Sequence, residues 1–183
     1  KMIKAKYLLI LFVTIGLIGC TNLKQETLSP LDFINPFIGT GGHGHTFPGA
    51  TVPFGMMQLS PDTRLEGWDG CSGYHYSDSI IYGFSHTHLS GTGVSDYGDL
   101  LLMPSQGETY FDNGYKSNLE KSYRSAFRKE TEKASPGFYQ VKLDKHDIDV
   151  RLVAGKRAGI HEYVFNKGGE GHVILDLEHR DDV

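Results

Sequence analysis

The chain has 183 residues, of which 39% are hydrophobic and 22% are charged, and its formal net charge is −4. This length allows one domain with a sizeable buried core behind a short N-terminal segment. The 18 lysines and arginines are scattered along the chain, and acidic residues outnumber them. The composition therefore argues against a nucleic-acid partner.

The first 30 residues indicate an export signal followed by a tether. Three lysines precede an apolar stretch at residues 7–18, which ends just before a small residue and Cys20. About a dozen apolar residues fall short of the roughly 20 that a membrane-spanning helix needs. The pattern predicts a lipoprotein signal over residues 1–19, with Cys20 acylated at the start of a tether over residues 20–30, rather than an uncleaved anchor helix. Cys71 would then have no disulfide partner, so the fold must depend on packing.

Three glycine-rich runs follow the tether. The first run covers residues 39–50, the second residues 67–76 and the third residues 82–96. Glycines let the backbone approach a ligand closely, and the histidines, aromatic residues and aspartates between them can hydrogen-bond or stack against a small polar molecule. We interpret the three runs as parts of a ligand site.

The second half of the chain alternates between apolar and polar residues with a period of two, which is typical of antiparallel strands with one buried face. The three alternating segments are 139–143, 148–154 and 161–165. Residues typical of turns separate them, at 135–137, 144–147, 155–159 and 166–169. The pattern predicts a meander within a β-sandwich.

Upstream, residues 52–59 and 79–84 are predicted to form short strands interrupted by glycine and proline. The charged stretch at 119–133 lacks the continuous apolar stripe of a helix, so we expect an all-β domain, an antiparallel β-sandwich over residues 31–183. The last strand-like residues, 173–183, have no closing turn, and we expect the domain to belong to a longer protein.

Several motifs together resemble the N-terminal part of the glycoside hydrolase family 92 α-mannosidases. They span residues 32–50, 53–55, 73–75, 83–93, 99–104, 135–139, 157–161 and 174–177. The resemblance covers essentially everything after the tether. It implies a larger two-domain enzyme, in which the β-sandwich precedes an (α/α)6 helical toroid that these 183 residues do not include.

The resemblance also implies a chemistry. Enzymes of this family remove terminal α-mannose with inversion and require calcium, and inversion uses two carboxyl groups about 6.5 to 9.5 Å apart. In the family both carboxyl groups and the calcium ligands belong to the helical domain. No catalytic residue and no metal ligand is therefore assigned here, and the loops of the sandwich are expected to line the sugar pocket.

Trp68 and Asp69 are the first choices for such a binding role. An indole face can pack on the apolar face of a sugar, and a carboxylate can accept hydrogen bonds from neighbouring hydroxyls. Trp68 could instead anchor the core, but its neighbours are glycine and aspartate rather than apolar residues. Asp62, Glu66 and Asp78 add carboxylates nearby, although spacing within loops does not place them in space.

Two histidine pairs complete the candidate site: His43 with His45, and His86 with His88. A spacing of i, i+2 on a strand would place both imidazoles on one face. Three alternatives are open: hydrogen bonding to the sugar or to the other domain, a four-histidine zinc site, and a buried structural role. The glycines around the first pair and the lack of a cysteine ligand favour the hydrogen-bonding role, and all four histidines are assigned to substrate binding.

The whole protein is thus expected to be a calcium-dependent, inverting exo-α-mannosidase acting on mannose-capped glycans, with this part inactive alone. A carbohydrate-binding lipoprotein without hydrolytic activity is the alternative, and a metal-storage or sensing module built on the histidines is a third. The expected location is the periplasm or outer-membrane surface of a Gram-negative bacterium, with the membrane reached only through the lipid on Cys20. The expected partners are the glycan and the helical domain.

Overall fold

A computed structural model describes residues 28–117 and 119–180. Cys20, the signal predicted over residues 1–19 and most of the predicted tether lie outside the described residues. The fold below is that of the compact unit that begins at Phe33. Within the described ranges, no helix has the length and apolarity needed to cross a membrane.

The described residues form an almost entirely β fold, as the sequence predicts. Only short 3-10 turns interrupt it, at Pro30–Phe33, Leu119–Lys121 and Lys129–Thr131. The strands are β1 (Leu59–Asp62), β2 (Ile80–Ile81), β3 (Gly83–His86), β4 (Leu101–Gln106), β5 (Ser125–Ala126), β6 (Lys133–Ser135), β7 (Phe138–Leu143), β8 (Ile148–Ala154), β9 (Gly159–Phe165) and β10 (Gly171–Asp176).

Two four-stranded antiparallel sheets make up the sandwich. The first has the order β1-β3-β4-β10 and the second the order β6-β7-β8-β9, while β2 and β5 pair separately. In the second sheet each strand pairs with the next along the chain, so β6 to β9 form the predicted meander. In the first sheet β10 returns from the far end of the chain to lie beside β4. That return places the residues after β10 beside the loops of the first sheet.

The core lies between the two sheets. Strand β8 buries every second residue along its length, from Ile148 to Ala154, and β7 does the same with Tyr139, Val141 and Leu143. The first sheet contributes Leu59, Phe84, Leu101, Met103 and Ile174. Burying apolar side chains of this size stabilises the fold by roughly 1.5 to 3 kcal/mol each, and the period of two directs one face of each strand to the core. The alternation found in the sequence is thus confirmed.

The prediction of a strand over residues 52–59 is wrong except at its end. Pro53 and Phe54 form a turn in which the Gly55 amide donates to the Val52 carbonyl at 2.8 Å. Pro53 has no amide hydrogen for a ladder, and Phe54 adopts a φ of 57°, which an extended strand cannot accommodate. Regular pairing begins only at Leu59.

A buried glutamate holds the second glycine-rich run against the second sheet. The Glu132 side chain is only 2% exposed, and its carboxylate accepts hydrogen bonds from the hydroxyls of Tyr74, at 3.0 Å, and Tyr139, at 2.6 Å. The Lys129 ammonium lies 3.1 Å from the same carboxylate and compensates its charge. Burial, together with the negative charge of Glu132, raises the pKa of both tyrosines, so their hydroxyls remain donors.

Candidate functional site

The three glycine-rich runs, distant in sequence, are joined to one another by backbone hydrogen bonds. The Gly70 amide of the second run donates to the Gly44 carbonyl of the first at 3.3 Å. The Gly91 amide of the third run donates to the His45 carbonyl at 2.6 Å. Because these bonds join backbone groups, they fix the three runs relative to one another whatever the intervening side chains are.

Trp68 stands at this junction with 64% of its surface exposed. The His45 ring meets the indole edge to face, with the ring centroids 5.3 Å apart and the planes at 77°. Gly93 closes another side, because a Cβ atom there would lie 2.6 Å from the indole Cζ2. The indole is therefore held by two neighbours and leaves a large apolar surface open to a ligand, unlike a core anchor.

Asp69 and His43 lie beside this tryptophan. The His43 Nδ1 is 3.0 Å from an Asp69 carboxylate oxygen, and the two side chains are 93% and 32% exposed. An exposed pair of this kind adds little to stability. The polar atoms of this pair face water and can exchange water for sugar hydroxyls at small cost. Through these contacts the structure brings together four of the predicted binding residues: Trp68, Asp69, His43 and His45.

The other two predicted histidines are placed differently. Thr87 adopts a φ of 56° immediately after β3, so the period of two ends there and His86 and His88 do not share a face. His88 is only 7% exposed, and its Nδ1 donates to the Ser72 carbonyl at 3.1 Å. Burial lowers the pKa of His88, although nearby Asp62 raises it in part. His88 thus has the features of a buried structural histidine.

His86 contacts His161 of β9 rather than the tryptophan. Its Nε2 is 3.1 Å from the Nε2 of His161. Burial and the neighbouring His86 lower the pKa of His161 to about 4. The spacing i, i+2 therefore does not place His86 and His88 on one face, because the two rings have different partners.

The four-histidine zinc hypothesis and the calcium requirement can both be compared with the geometry. Over residues 28–117 and 119–180, no three or more His, Cys, Asp or Glu side chains are grouped so that they could hold a metal ion. The four histidines do not converge, and the residues present do not fit a calcium site. We therefore assign no chemical step to calcium in this chain.

An ion cluster beneath the runs was not anticipated from the sequence. Asp62 of β1 is fully buried, and its carboxylate is 2.6 Å from the His179 Nε2 and 3.8 Å from the Arg180 Nε. Burial alone would raise the pKa of Asp62, but the Arg180 charge and the His179 hydrogen bond hold that pKa well below its usual range. Asp62 and His179 are 117 positions apart, so no local spacing indicates their pairing.

Arg180 extends this cluster to the runs themselves. Its guanidinium donates to the carbonyls of Arg64, at 2.5 Å, and Cys71, at 3.4 Å, and to the hydroxyl of Ser95. The second and third runs are thereby joined to the residues that follow β10. The His179 side chain is fully buried.

The remaining nearby carboxylates also have basic partners. Asp78 accepts from the Arg64 guanidinium at 2.5 Å, and Glu66 lies 3.8 Å from the Lys116 ammonium. With Asp62 and Asp69, all four carboxylates between residues 62 and 78 face a basic side chain. Each of them is thus engaged in a contact within the domain, and none is assigned a catalytic role here.

The described residues thus define an antiparallel β-sandwich domain with an exposed indole beside a carboxylate and imidazoles. The comparison with known proteins agrees with this fold. Residues 33–182 match the family model described as the glycosyl hydrolase family 92 N-terminal domain. The chain therefore belongs to glycosyl hydrolase family 92, and the part described here is its N-terminal domain.

Solved structures support the same assignment. The chain is 38% identical to the family 92 α-mannosidase BT3965 from Bacteroides thetaiotaomicron, with a TM-score of 0.77 over 81% of this chain and 20% of that one. It is 30% identical to the inverting mannosidase BT2199 from Bacteroides thetaiotaomicron VPI-5482, with a TM-score of 0.68 over 82% of this chain and 20% of that one.

A curated relative agrees at lower identity. It is an uncharacterised secreted glycosidase of Arthroderma benhamiae, 28% identical over 155 residues, which are 84% of this chain and 20% of the relative. The chain thus spans about a fifth of the length of the relatives it matches. The family and the sandwich fold predicted from the sequence are confirmed.

Proposed function

We propose that the complete protein is an inverting exo-α-mannosidase and that this domain supplies one wall of its sugar pocket. The observation that carries the proposal is the exposed Trp68 at the junction of the three runs. A supporting fact is that BT3965, which is 38% identical to this chain, is an α-mannosidase studied in complex with mannoimidazole. The substrate proposed is a glycan ending in α-mannose.

Each residue near Trp68 has a proposed part in binding. The indole packs on the apolar C–H face of the terminal sugar. Asp69 accepts hydrogen bonds from vicinal hydroxyls, while His43 and His45 provide further polar contacts around it. The backbone bonds between the runs hold these groups in place before the sugar arrives, which lowers the entropy lost on binding.

The reactive carboxyl groups and the calcium are assigned to a helical domain outside this chain, as the family resemblance implies. A general acid would protonate the leaving oxygen and a general base would activate water, and the described carboxylates between residues 62 and 78 are engaged with basic partners instead. The helical domain is thus the proposed partner that completes the pocket, and this chain alone is expected to bind sugar without hydrolysing it.

Replacing Trp68 with alanine in the intact protein tests the binding role. Loss of a stacked indole should weaken binding of an α-mannoside by about 1 to 3 kcal/mol, which raises KM roughly 5- to 150-fold. Steady-state release of mannose measures the change. Phe54→Ala is the matched control, because Phe54 is an exposed aromatic residue on the 52–55 turn, and it should leave KM unchanged.

Four outcomes bear on these proposals. Release of mannose that stops in a chelator and needs the intact protein supports the calcium-dependent enzyme. Mannoside binding without release by the intact protein favours a carbohydrate-binding lipoprotein. Unchanged KM and kcat in Trp68→Ala would remove Trp68 from the pocket, and turnover by residues 21–183 alone would place the reactive carboxyl groups in this domain.

The protein is also proposed to be exported and held at a membrane by lipid on Cys20, in the periplasm or on the outer membrane of a Gram-negative bacterium. Three lysines, a short apolar stretch and a cysteine after a small residue support this proposal. The secreted relative from Arthroderma benhamiae agrees with export. A lipid anchor would keep the enzyme near glycans outside the cytoplasm.

A further inference from the structure

Two histidines face each other across the sandwich. His86 ends β3 of the first sheet, and His161 lies on β9 of the second. Their Nε2 atoms are 3.1 Å apart, and their ring centroids are 5.0 Å apart with the planes tilted by 36°. Both residues are only partly buried, so small solutes can reach the pair.

The other nitrogen of each ring is already next to an oxygen acceptor. The His86 Nδ1 donates to the Leu100 carbonyl at 3.0 Å, and the His161 Nδ1 is 2.8 Å from the Tyr163 hydroxyl oxygen. A neutral imidazole that donates from Nδ1 has its lone pair on Nε2. When both rings donate from Nδ1, two Nε2 lone pairs point into the same gap and repel each other. A cation in that gap can accept both lone pairs, so that each Nε2 becomes a ligand of the cation.

We propose that His86 and His161 form a binding site for a divalent transition-metal ion of the zinc class. Two imidazole ligands at 2.0 to 2.1 Å from a tetrahedral ion lie roughly 3.3 Å apart, close to the separation found here. Metal-binding histidines commonly donate their second ring nitrogen to a carbonyl or another oxygen, which is the arrangement on both sides of this pair. Water or a group from outside the chain supplies the remaining ligands.

This site is separate from the calcium that the family resemblance implies. Calcium binds six to eight oxygen ligands, whereas the groups that face each other here are imidazole nitrogens, which suit zinc, copper and nickel. The ion would join β3 to β9 and thus the first sheet to the second. Its predicted effect is on the stability of the sandwich as well as on metal content.

The competing arrangement is an ordinary hydrogen bond. If the Tyr163 hydroxyl donates to the His161 Nδ1, the His161 Nε2–H can donate to the His86 Nε2 and no cation is needed. The two arrangements differ in proton positions, which the distances alone do not distinguish. Titration with metal distinguishes them, because only the metal site gains affinity from both rings.

The test is titration of the intact protein, without a histidine tag and with calcium present, by ZnCl2 in a calorimeter. We expect one zinc ion bound by the wild type, and at least tenfold weaker binding in His86→Gln and in His161→Gln. Tyr163→Phe keeps both imidazoles but removes an Nδ1 acceptor, so roughly tenfold weaker binding is expected. The matched control is His172→Gln on β10, which should bind as the wild type does, and ZnCl2 should raise Tm only in proteins that keep both histidines.

Three results would overturn the site: equal zinc binding by the wild type and the double variant His86→Gln/His161→Gln, equal loss of binding in His172→Gln, or no change in Tm with ZnCl2. If the variants do not fold, wild-type crystals soaked in ZnCl2 decide the question. An anomalous diffraction peak between the two Nε2 atoms supports the proposal. Zinc bound only elsewhere, or nowhere, refutes it.

Discussion

Asp62→Asn tests whether the buried ion cluster stabilises the loops that form the proposed pocket. The substitution keeps the shape of the side chain and removes its charge. In the wild type the carboxylate is fully buried, and the His179 and Arg180 side chains that face it are 0% and 7% exposed. The change therefore leaves a buried guanidinium without its negative partner.

The expected cost follows from this burial. Removing one partner of a buried ion pair costs about 3 to 5 kcal/mol, because the other charge remains desolvated. Asparagine keeps an oxygen that can accept from the His179 Nε2–H, and the Arg64 and Cys71 carbonyls still accept from Arg180. We therefore expect the lower end, about 3 kcal/mol of unfolding free energy.

Urea unfolding followed by far-UV circular dichroism measures this change. With a slope of about 1 to 3 kcal/mol per molar urea, the midpoint should fall by roughly 1 to 3 M. Asp99→Asn makes the same chemical change at an exposed position and should alter stability by less than about 0.5 kcal/mol. Equal midpoints for Asp62→Asn and Asp99→Asn would refute the reasoning.

The pH dependence provides a second check on the same residue. The folded-state pKa of Asp62 lies below its ordinary value of 3.8. The ionised carboxylate therefore contributes its full stability above pH 3.8, and this contribution is lost as the pH falls towards the folded-state pKa. The difference in stability between wild type and Asp62→Asn should thus narrow below about pH 4, and a difference that widens there would contradict the assignment.

Two further substitutions test the pocket and the anchor. Gly93→Ala should strain a backbone at φ +76° and also push the indole of Trp68. Gly91→Ala is the control, because it strains a backbone at φ +78° but its added Cβ has no atom within 4 Å. Only Gly93→Ala should raise KM for an α-mannoside, and equal effects of the two variants would mean that backbone strain alone is responsible. Cys20→Ala should abolish incorporation of labelled fatty acid while Cys71→Ala retains it, and labelling that survives Cys20→Ala would refute the lipid anchor.

The strands of the second sheet could be predicted from the sequence because each buries a single face. In β8 the apolar residues Ile148, Val150 and Leu152 alternate with residues that face outward, so the period of two is visible without any knowledge of the partner strands. The turns between β7, β8 and β9 are equally local. Where proline and a left-handed residue interrupt the backbone, as at Pro53 and Phe54, apolar content alone predicts a strand that does not form.

The candidate site could be predicted only in part, for a related reason. Glycine, tryptophan and aspartate in one short run indicate a binding loop, and Trp68 in that run is exposed, while the sugar-binding role of Trp68 and Asp69 stays a prediction. The pairing of His86 with His161 depends on two sheets packing together. A single backbone angle at Thr87 separates His86 from His88, and no spacing rule anticipates it.

Residues that hold the pocket in place are the hardest to recognise from a sequence. Asp62, His179 and Arg180 each look unremarkable locally, and they meet only because β10 returns to the first sheet beside β4. That return directs Arg180 to carbonyls of the loops on which Trp68 and its neighbours lie. If the proposed pocket must be rigid to select a terminal sugar, a mutation at Asp62 should weaken mannoside binding without touching the ligand, because the runs would lose a shared attachment rather than a contact.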